Sequence, residues 1–168
     1  MIATDGCSSD TAAKDEPIRV LIVDDHDHVL WGLRKLIEGE WPRMTVAGAA
    51  KTLQEVRTSL ASRRFDVAVL DVMLGDEDGL ELLPEMGKSH VAVVILTDSR
   101  SPEVHSRALE TGARTVVLKD ESASVLLNEI ERAHAWRKSP HAEAACEQDC
   151  HLAVKARIAG FLLSTSRR

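Results

Sequence analysis

The apolar residues of the chain fall into short unbroken runs, separated by stretches in which they recur every three or four positions. The runs are Val20-Leu21-Ile22-Val23, Val67-Ala68-Val69-Leu70, Val91 to Leu96 and Thr115 to Leu118, with a weaker one from Thr45 to Ala50. Runs without alternation and rich in β-branched residues predict strands buried on both faces, as in a parallel sheet. Val29, Leu30, Leu33, Leu36 and Ile37 form one helical face, and Leu53, Val56 and Leu60 form another behind a capping box at Thr52 and Glu55. Ser101-Pro102 reads as an N-cap followed by proline at the first helical position. Ser122 is placed to cap a last helix whose inner face holds Val125, Leu126, Ile130 and Ala133. Five strand-then-helix units predict right-handed crossovers and an open α/β sheet with helices on both sides.

This pattern occupies residues 18–138. Residues 1–17 are small, polar and acidic and read as an N-terminal tail. Residues 139–168 open with Ser139-Pro140 and an Ala/Glu-rich stretch, and read as a linker and a short C-terminal appendix. No internal repeat is visible.

Composition narrows the class. The 168 residues carry 27 acidic and 21 basic side chains, a formal charge of −6, and 44% are hydrophobic. That supports one cored domain and opposes non-specific nucleic-acid binding as the main activity. Two Phe, three Trp and no Tyr leave little for base stacking. No run of 18 apolar residues predicts a membrane span, and the acidic start is no signal peptide. Cys7, Cys146 and Cys150 are odd in number and lie outside the apolar middle, so a reducing cytoplasm is the expected location.

The chemistry sits where the strands end. Asp24-Asp25 follow the first run, Asp71 the third, Thr97 the fourth and Lys119 the fifth. In an open α/β sheet the carboxyl ends of the strands line the ligand crevice. Clustered carboxylates need a cation, and oxygen-only donors favour Mg²⁺. Lys119 can neutralise a transferring phosphoryl group and Thr97 can hydrogen-bond one of its oxygens, with a carboxylate as nucleophile.

These residues, in this order, resemble the active-site set of bacterial two-component response-regulator receiver domains. The segments VLIVDDH, VLDVMLGDEDGLELL, VVILTDS and TGARTVVLKDES are similar to the NarL/FixJ branch. The resemblance implies a flavodoxin-like receiver fold, a five-stranded parallel doubly wound sheet of order 2-1-3-4-5, over residues 18–138. It implies that Asp71 is the phosphoacceptor. Mg²⁺ would be held by Asp25, Asp71 and the backbone carbonyl of Met73, with Asp24 acting mainly through water. Thr97 and Lys119 would contact the phosphoryl group. The implied donor is a sensor histidine kinase, a histidine phosphotransfer protein or a small phosphodonor such as acetyl phosphate. The implied response is a changed surface on the fourth helix, fifth strand and fifth helix, open to a partner or to a homodimer. Beyond its own phosphorylation and dephosphorylation the domain is not expected to be an enzyme.

Four positions depart from the common pattern. Asp98 follows the threonine, and its carboxylate is expected to repel an incoming phosphoryl group and modulate access. Val116 stands where many receivers carry a rotating aromatic. Gly75 replaces a common proline, which predicts a looser loop after Asp71. Asp120 follows the lysine, as suits the NarL/FixJ type.

Other features have plainer readings. His26 and His28 flank Asp27 and read as helix-start residues rather than zinc ligands. Cys146, Cys150, His141 and His151 match no zinc signature. Trp31 and Trp41 read as packing residues. Residues 152–163 (LAVKARIAGFLL) read as an amphipathic helix, either docked on the receiver or serving a dimer or partner contact. A helix-turn-helix output does not fit in residues 139–168, which sets a truncated DNA-binding regulator behind the signalling reading. A phosphatase of the haloacid-dehalogenase type needs a second Asp where Met73 stands, and a flavin or dinucleotide fingerprint is missing after the first strand. A degenerate receiver that binds without phosphorylation remains the nearest alternative.

Overall fold

The computed structural model describes residues 16–139. Most of the expected tail and appendix, with Cys7, Cys146, Cys150, His141, His151 and residues 152–163, lie outside the described residues. The elements run β1 (Ile18–Val23), α1 (Asp27–Glu38), β2 (Met44–Ala50), α2 (Leu53–Ser62), β3 (Val67–Leu70), β4 (Met73–Leu74), β5 (Glu77–Asp78), a 3-10 turn (Gly79–Leu82), α3 (Leu83–Lys88), β6 (Ala92–Thr97), α4 (Pro102–Thr111), β7 (Thr115–Leu118) and α5 (Ala123–Arg137). The main sheet has the order β2-β1-β3-β6-β7 with every neighbouring pair parallel. With the hairpin set aside, this is the expected order 2-1-3-4-5.

Alternation along the buried strands explains the unbroken apolar runs. Leu21, Val23, Ala68, Leu70, Val93 and Ile95 face a cluster completed by Leu53 and Val56 of α2, Leu83 and Met86 of α3, and Ala108 of α4. Val20, Ile22, Val67, Val69, Val94 and Leu96 face the opposite cluster, completed by Leu33 and Ile37 of α1 and Leu126 and Ile130 of α5. Both faces of each central strand are therefore dry, and polarity is left only at the strand ends. Among the described residues no helix is long and apolar enough to cross a membrane.

The helix starts follow their capping residues. Thr52 accepts the Glu55 N–H at 3.2 Å, while the Glu55 carboxylate accepts from Lys51 N–H at 2.7 Å. Ser101 caps α4 through the Val104 N–H. Ser122 occupies the N-cap position of α5, but its hydroxyl lies 3.0 Å from Ser124 Oγ and makes no capping bond. Val125 is exposed rather than inward: one residue is about 100° of helix, which turns it off the Leu126–Ile130–Ala133 face. Trp31 and Trp41 are 65% and 67% exposed, against the packing expected of them. Trp31 lies two residues, about 200°, from the buried Leu33, and so on the solvent side of α1. Trp41 stands in the turn after that helix.

Between β3 and α3 the chain makes a hairpin too short to be seen as periodicity. Met73 pairs with Asp78 and Leu74 with Glu77, around a two-residue turn opened by Gly75 at φ +62°. A proline cannot take that angle. Gly79 then passes so close to the strand end that a Cβ there would stand 2.3 Å from the Asp71 carbonyl oxygen. This close approach folds the segment after Asp71 back over the carboxyl edge of the sheet.

Candidate functional site

Each expected polar residue is delivered to the same rim by the strand that precedes it. Asp24 follows β1 and its backbone N–H is tied to Ala50 O of β2. Asp71 follows β3, with its N–H on Val23 O. Thr97 is the last residue of β6, and its carbonyl accepts the Lys119 N–H at 3.0 Å, which fixes the ends of β6 and β7 together. Parallel register thus sets the five residues side by side without any contribution from the side chains themselves.

Two of the carboxylates, Asp24 and Asp71, converge on the Lys119 ammonium. Lys119 Nζ lies 2.6 Å from Asp71 Oδ2 and 2.7 Å from Asp24 Oδ2. Asp24 is fully buried, and its other oxygen accepts the His26 N–H at 2.9 Å. Burial works against the Lys119 charge, but the hydrogen bonds to Asp24 and Asp71 outweigh it, so its pKa lies above the usual lysine value. Asp71 goes up too. Burial raises its carboxyl, the Lys119 contact offsets part of that, and the Asp24 charge adds to the rise. One ammonium between two buried carboxylates satisfies itself more fully than either acid.

Asp25 stands at the mouth of the cluster. Its Oδ2 accepts the Gly75 N–H at 3.1 Å. The glycine therefore anchors the loop after Asp71 to Asp25, where a looser loop was expected; a proline there has no N–H to give. Asp25 Oδ1 is shielded from solvent and accepts no hydrogen bond, the His26 ring nitrogen lying 2.7 Å away without a hydrogen-bonding alignment. Asp24, Asp25 and His26 offer ligand atoms within 4.8 Å of one another. His26 precedes α1 as expected of a helix-start residue, yet its contact with both acids was not foreseen.

The remaining expected residues are placed as follows. Met73 opens β4, two residues beyond Asp71, and its N–H approaches Asp71 Oδ1 at 3.4 Å. Thr97 is buried and its Oγ1 accepts the Ser99 N–H at 3.1 Å. Asp98 is exposed beside it. Val116 packs against the cluster that holds Ala108 and Ile95. Asp120 pairs with Arg100, linking the loop after β6 to the loop after β7. The rim thus joins three carboxylates, a hydroxyl and one ammonium, an arrangement suited to a divalent cation and to a phosphoryl group.

Comparison with known proteins agrees with this geometry. Residues 20–131 match the response regulator receiver domain family. The chain is 33% identical over 125 residues to the protein-glutamate methylesterase/protein-glutamine glutaminase of group 2 operon from Rhodopseudomonas palustris, covering 72% of this chain and 32% of that one. It is 34% identical over 122 residues to the DNA-binding transcriptional activator DevR/DosR of Mycobacterium tuberculosis, covering 71% of this chain and 56% of the activator. The chain therefore spans about a third to a little over half the length of these relatives. Among solved structures it is similar to a CheY-like receiver domain protein from Methanospirillum hungatei, with a TM-score of 0.66 and 27% identity over 73% of this chain and 97% of the other. It is also similar to the beryllofluoride-activated NtrC4 receiver domain dimer, with a TM-score of 0.65 and 28% identity over 71% and 98%.

Proposed function

Since this chain belongs to the response regulator receiver domain family, we propose that it accepts a phosphoryl group on Asp71 from a sensor histidine kinase, a histidine phosphotransfer protein or acetyl phosphate. The observation that carries this reading is the Lys119 ammonium, held 2.6 Å from a buried strand-end carboxylate that also faces Asp24. An Asp71 oxygen attacks phosphorus. The new O–P bond forms as the bond from phosphorus to the donor breaks, and imidazole or acetate leaves with that electron pair. Lys119 transfers its hydrogen bond from Asp71 to a phosphoryl oxygen. Thr97 Oγ1 already accepts from Ser99, so its own hydrogen is left to donate to another phosphoryl oxygen.

The carboxylates fit Mg²⁺: oxygen donors, a surplus of negative charge, and an Asp25 oxygen that is buried with no hydrogen bond, although the His26 ring nitrogen stands beside them. Asp24, Asp25, Asp71 and the Met73 carbonyl are the residues that would hold the ion. When bound, the ion would supply positive charge that lowers the repulsion between the nucleophile and the phosphoryl oxygens.

Phosphorylation then shifts a two-state equilibrium by new charge and hydrogen bonds at Thr97 and Lys119, read out on α4, β7 and α5 as a partner or homodimer surface. The dimeric solved relative supports that part of the reading. The NarL/FixJ branch and a cytoplasmic location belong to the same proposal, the branch supported by the VLIVDDH and TGARTVVLKDES wording and by the identity to a transcriptional activator. A phosphorylation-independent binding role is favoured by the exposed Asp98 and by Val116 in place of an aromatic.

Incubation with Mg²⁺ and acetyl phosphate, followed by intact-mass spectrometry, tests the proposal. The expected result is a gain of one phosphoryl group that is lost in Asp71→Asn. No gain from acetyl phosphate or from a phosphohistidine donor sets the proposal aside in favour of the binding role.

A further inference from the structure

One buried titratable side chain of the domain has no part in the chemistry above. His105 lies in the first half of α4 and is only 6% exposed. Its ring does not simply fill the core, because Nε2 stands 2.6 Å from the carbonyl oxygen of Ser99. A carbonyl oxygen only accepts, so Nε2 carries the hydrogen and the ring donates. The backbone of the same residue is also fastened to this loop, with the His105 N–H on Ser101 O at 3.2 Å.

Ser99 is the residue that links this histidine to the rim. Its carbonyl is held by His105 and its N–H donates to Thr97 Oγ1 at 3.1 Å. Its hydroxyl accepts the Ser101 N–H at 3.3 Å, which rounds off the turn into α4. The connection therefore runs from a buried ring on α4, through the backbone of one residue, Ser99, to the hydroxyl of Thr97 at the strand end. Two consequences follow from the donor and acceptor roles. The Ser99 N–H occupies the Thr97 oxygen as an acceptor and so fixes the side-chain rotamer. The hydroxyl hydrogen of Thr97 is not used in that bond and is left to donate to another partner.

We propose that His105 is a positioning residue for phosphoryl transfer, holding Ser99 so that Thr97 presents its hydroxyl hydrogen to the phosphoryl group. This rests on the reading of Asp71 as phosphoacceptor but concerns a residue outside the strand-end set. The histidine acts through Ser99 and Thr97 and does not itself reach the reacting atoms. A ring that merely packs α4 against the sheet stabilises the fold without caring whether Thr97 has a hydroxyl.

A double-mutant cycle on the full chain separates these roles. The variants are His105→Leu, His105→Gln, Thr97→Ala and the His105→Leu/Thr97→Ala pair, each first checked for folding by urea denaturation. His105→Leu is expected to slow phosphorylation by acetyl phosphate about tenfold, the size of one lost positioning hydrogen bond. His105→Gln, whose amide can donate to the same carbonyl, is expected to recover most of the rate. In the Thr97→Ala background, His105→Leu is expected to change the rate by less than about twofold. An equal loss in both backgrounds, or no loss in a folded His105→Leu variant, overturns the proposal.

A second measurement needs neither a variant nor phosphorylation. Ring-nitrogen NMR of the unmodified chain is expected to show His105 protonated at Nε2 and slow to exchange. A ring carrying its hydrogen at Nδ1 alone overturns the proposal whatever Asp71 does. If the rate experiment fails because the wild type takes up no phosphoryl group, the failure belongs to the function reading. The Thr97 amide and methyl shifts then decide on their own: a change in His105→Leu with return in His105→Gln supports the positioning role of His105, and unchanged shifts overturn it.

Discussion

Strand β3 is bracketed by two aspartates, Asp66 before it and Asp71 after it, and the protein treats them in opposite ways. They are almost equally buried, at 6% and 7% exposure. Asp66 accepts from the Arg19 N–H at 2.9 Å, from Arg19 Nε at 3.0 Å and Nη2 at 3.1 Å, and from Arg137 Nη1 at 2.8 Å. Burial pushes its carboxyl up, the Arg19 hydrogen bonds overcome that, and its pKa falls below the usual carboxylate range. At Asp71 burial also pushes up, and there it prevails, because the one available ammonium is shared with Asp24. The amino end of the sheet is thus a closed tie joining β1, β3 and α5. The carboxyl end is a carboxylate surplus that a cation would relieve. A buried acid with more donors than it needs serves structure, and a buried acid short of cation serves chemistry.

The largest expected effect comes from removing the one cation of the rim. Lys119→Met leaves Asp24 and Asp71 buried together without a counter-charge, and is expected to cost about 3 kcal/mol in urea denaturation at neutral pH. A loss below about 1 kcal/mol would mean that water already neutralises the pair. Opening the tie at the other end is expected to cost somewhat less. Asp66→Asn removes the charge that Arg19 and Arg137 face, and both arginines keep access to water, so about 2 kcal/mol is expected.

Asp71→Asn is expected to act with the opposite sign and to stabilise the fold by about 1 kcal/mol at a pH above the raised pKa of Asp71, since it deletes a carboxylate whose charge burial disfavours. The pH dependence distinguishes the two aspartates. The Asp66 contribution is complete above the ordinary carboxylate pKa of about 4 and is lost as pH falls below it. The advantage of Asp71→Asn is complete above the raised pKa of Asp71 and shrinks as pH falls through it, because the native wild type then takes up its own proton. Denaturation of both variants and the wild type across that range checks both signs. Parallel curves would show that the two carboxyls do not differ.

The smallest expected effect concerns the proposed cation. Mg²⁺ at about three times its dissociation constant is expected to stabilise the wild type by about 0.8 kcal/mol. It is expected to leave Asp25→Asn nearly unchanged, as followed by thermal melting. Equal stabilisation of both proteins would move the ion away from Asp25.

The carboxyl end of this comparison was legible in the sequence and the amino end was not. Asp24, Asp71, Thr97 and Lys119 each follow an apolar run, and parallel register does the rest, so their convergence follows from local pattern alone. The Asp66 tie is made by Arg19 and Arg137, which are 47 and 71 residues away in the chain and sit among ordinary surface charges. No local periodicity marks such a pair. The hairpin Met73–Asp78 is too short to show alternation, and the role of Gly75 rests on a backbone N–H that side-chain chemistry does not advertise. Apolar character says only that a residue can be buried: helix phase turns Trp31 and Val125 outward, and Trp41 lies in a turn beyond the helix. His105 is missed for a related reason: its burial and its reach to Ser99 depend on how α4 lies against the sheet.

The central claim, that the carboxylate surplus after β3 is a phosphoryl acceptor, is tested most directly by trapping the acyl phosphate. Borohydride reduces a phosphorylated aspartate to homoserine and leaves free carboxylates unchanged. After treatment with Mg²⁺ and acetyl phosphate, peptide mass spectrometry is predicted to find homoserine at position 71 and aspartate at positions 24, 25, 66 and 98. Homoserine at another aspartate, or at none in a folded protein, would contradict the account.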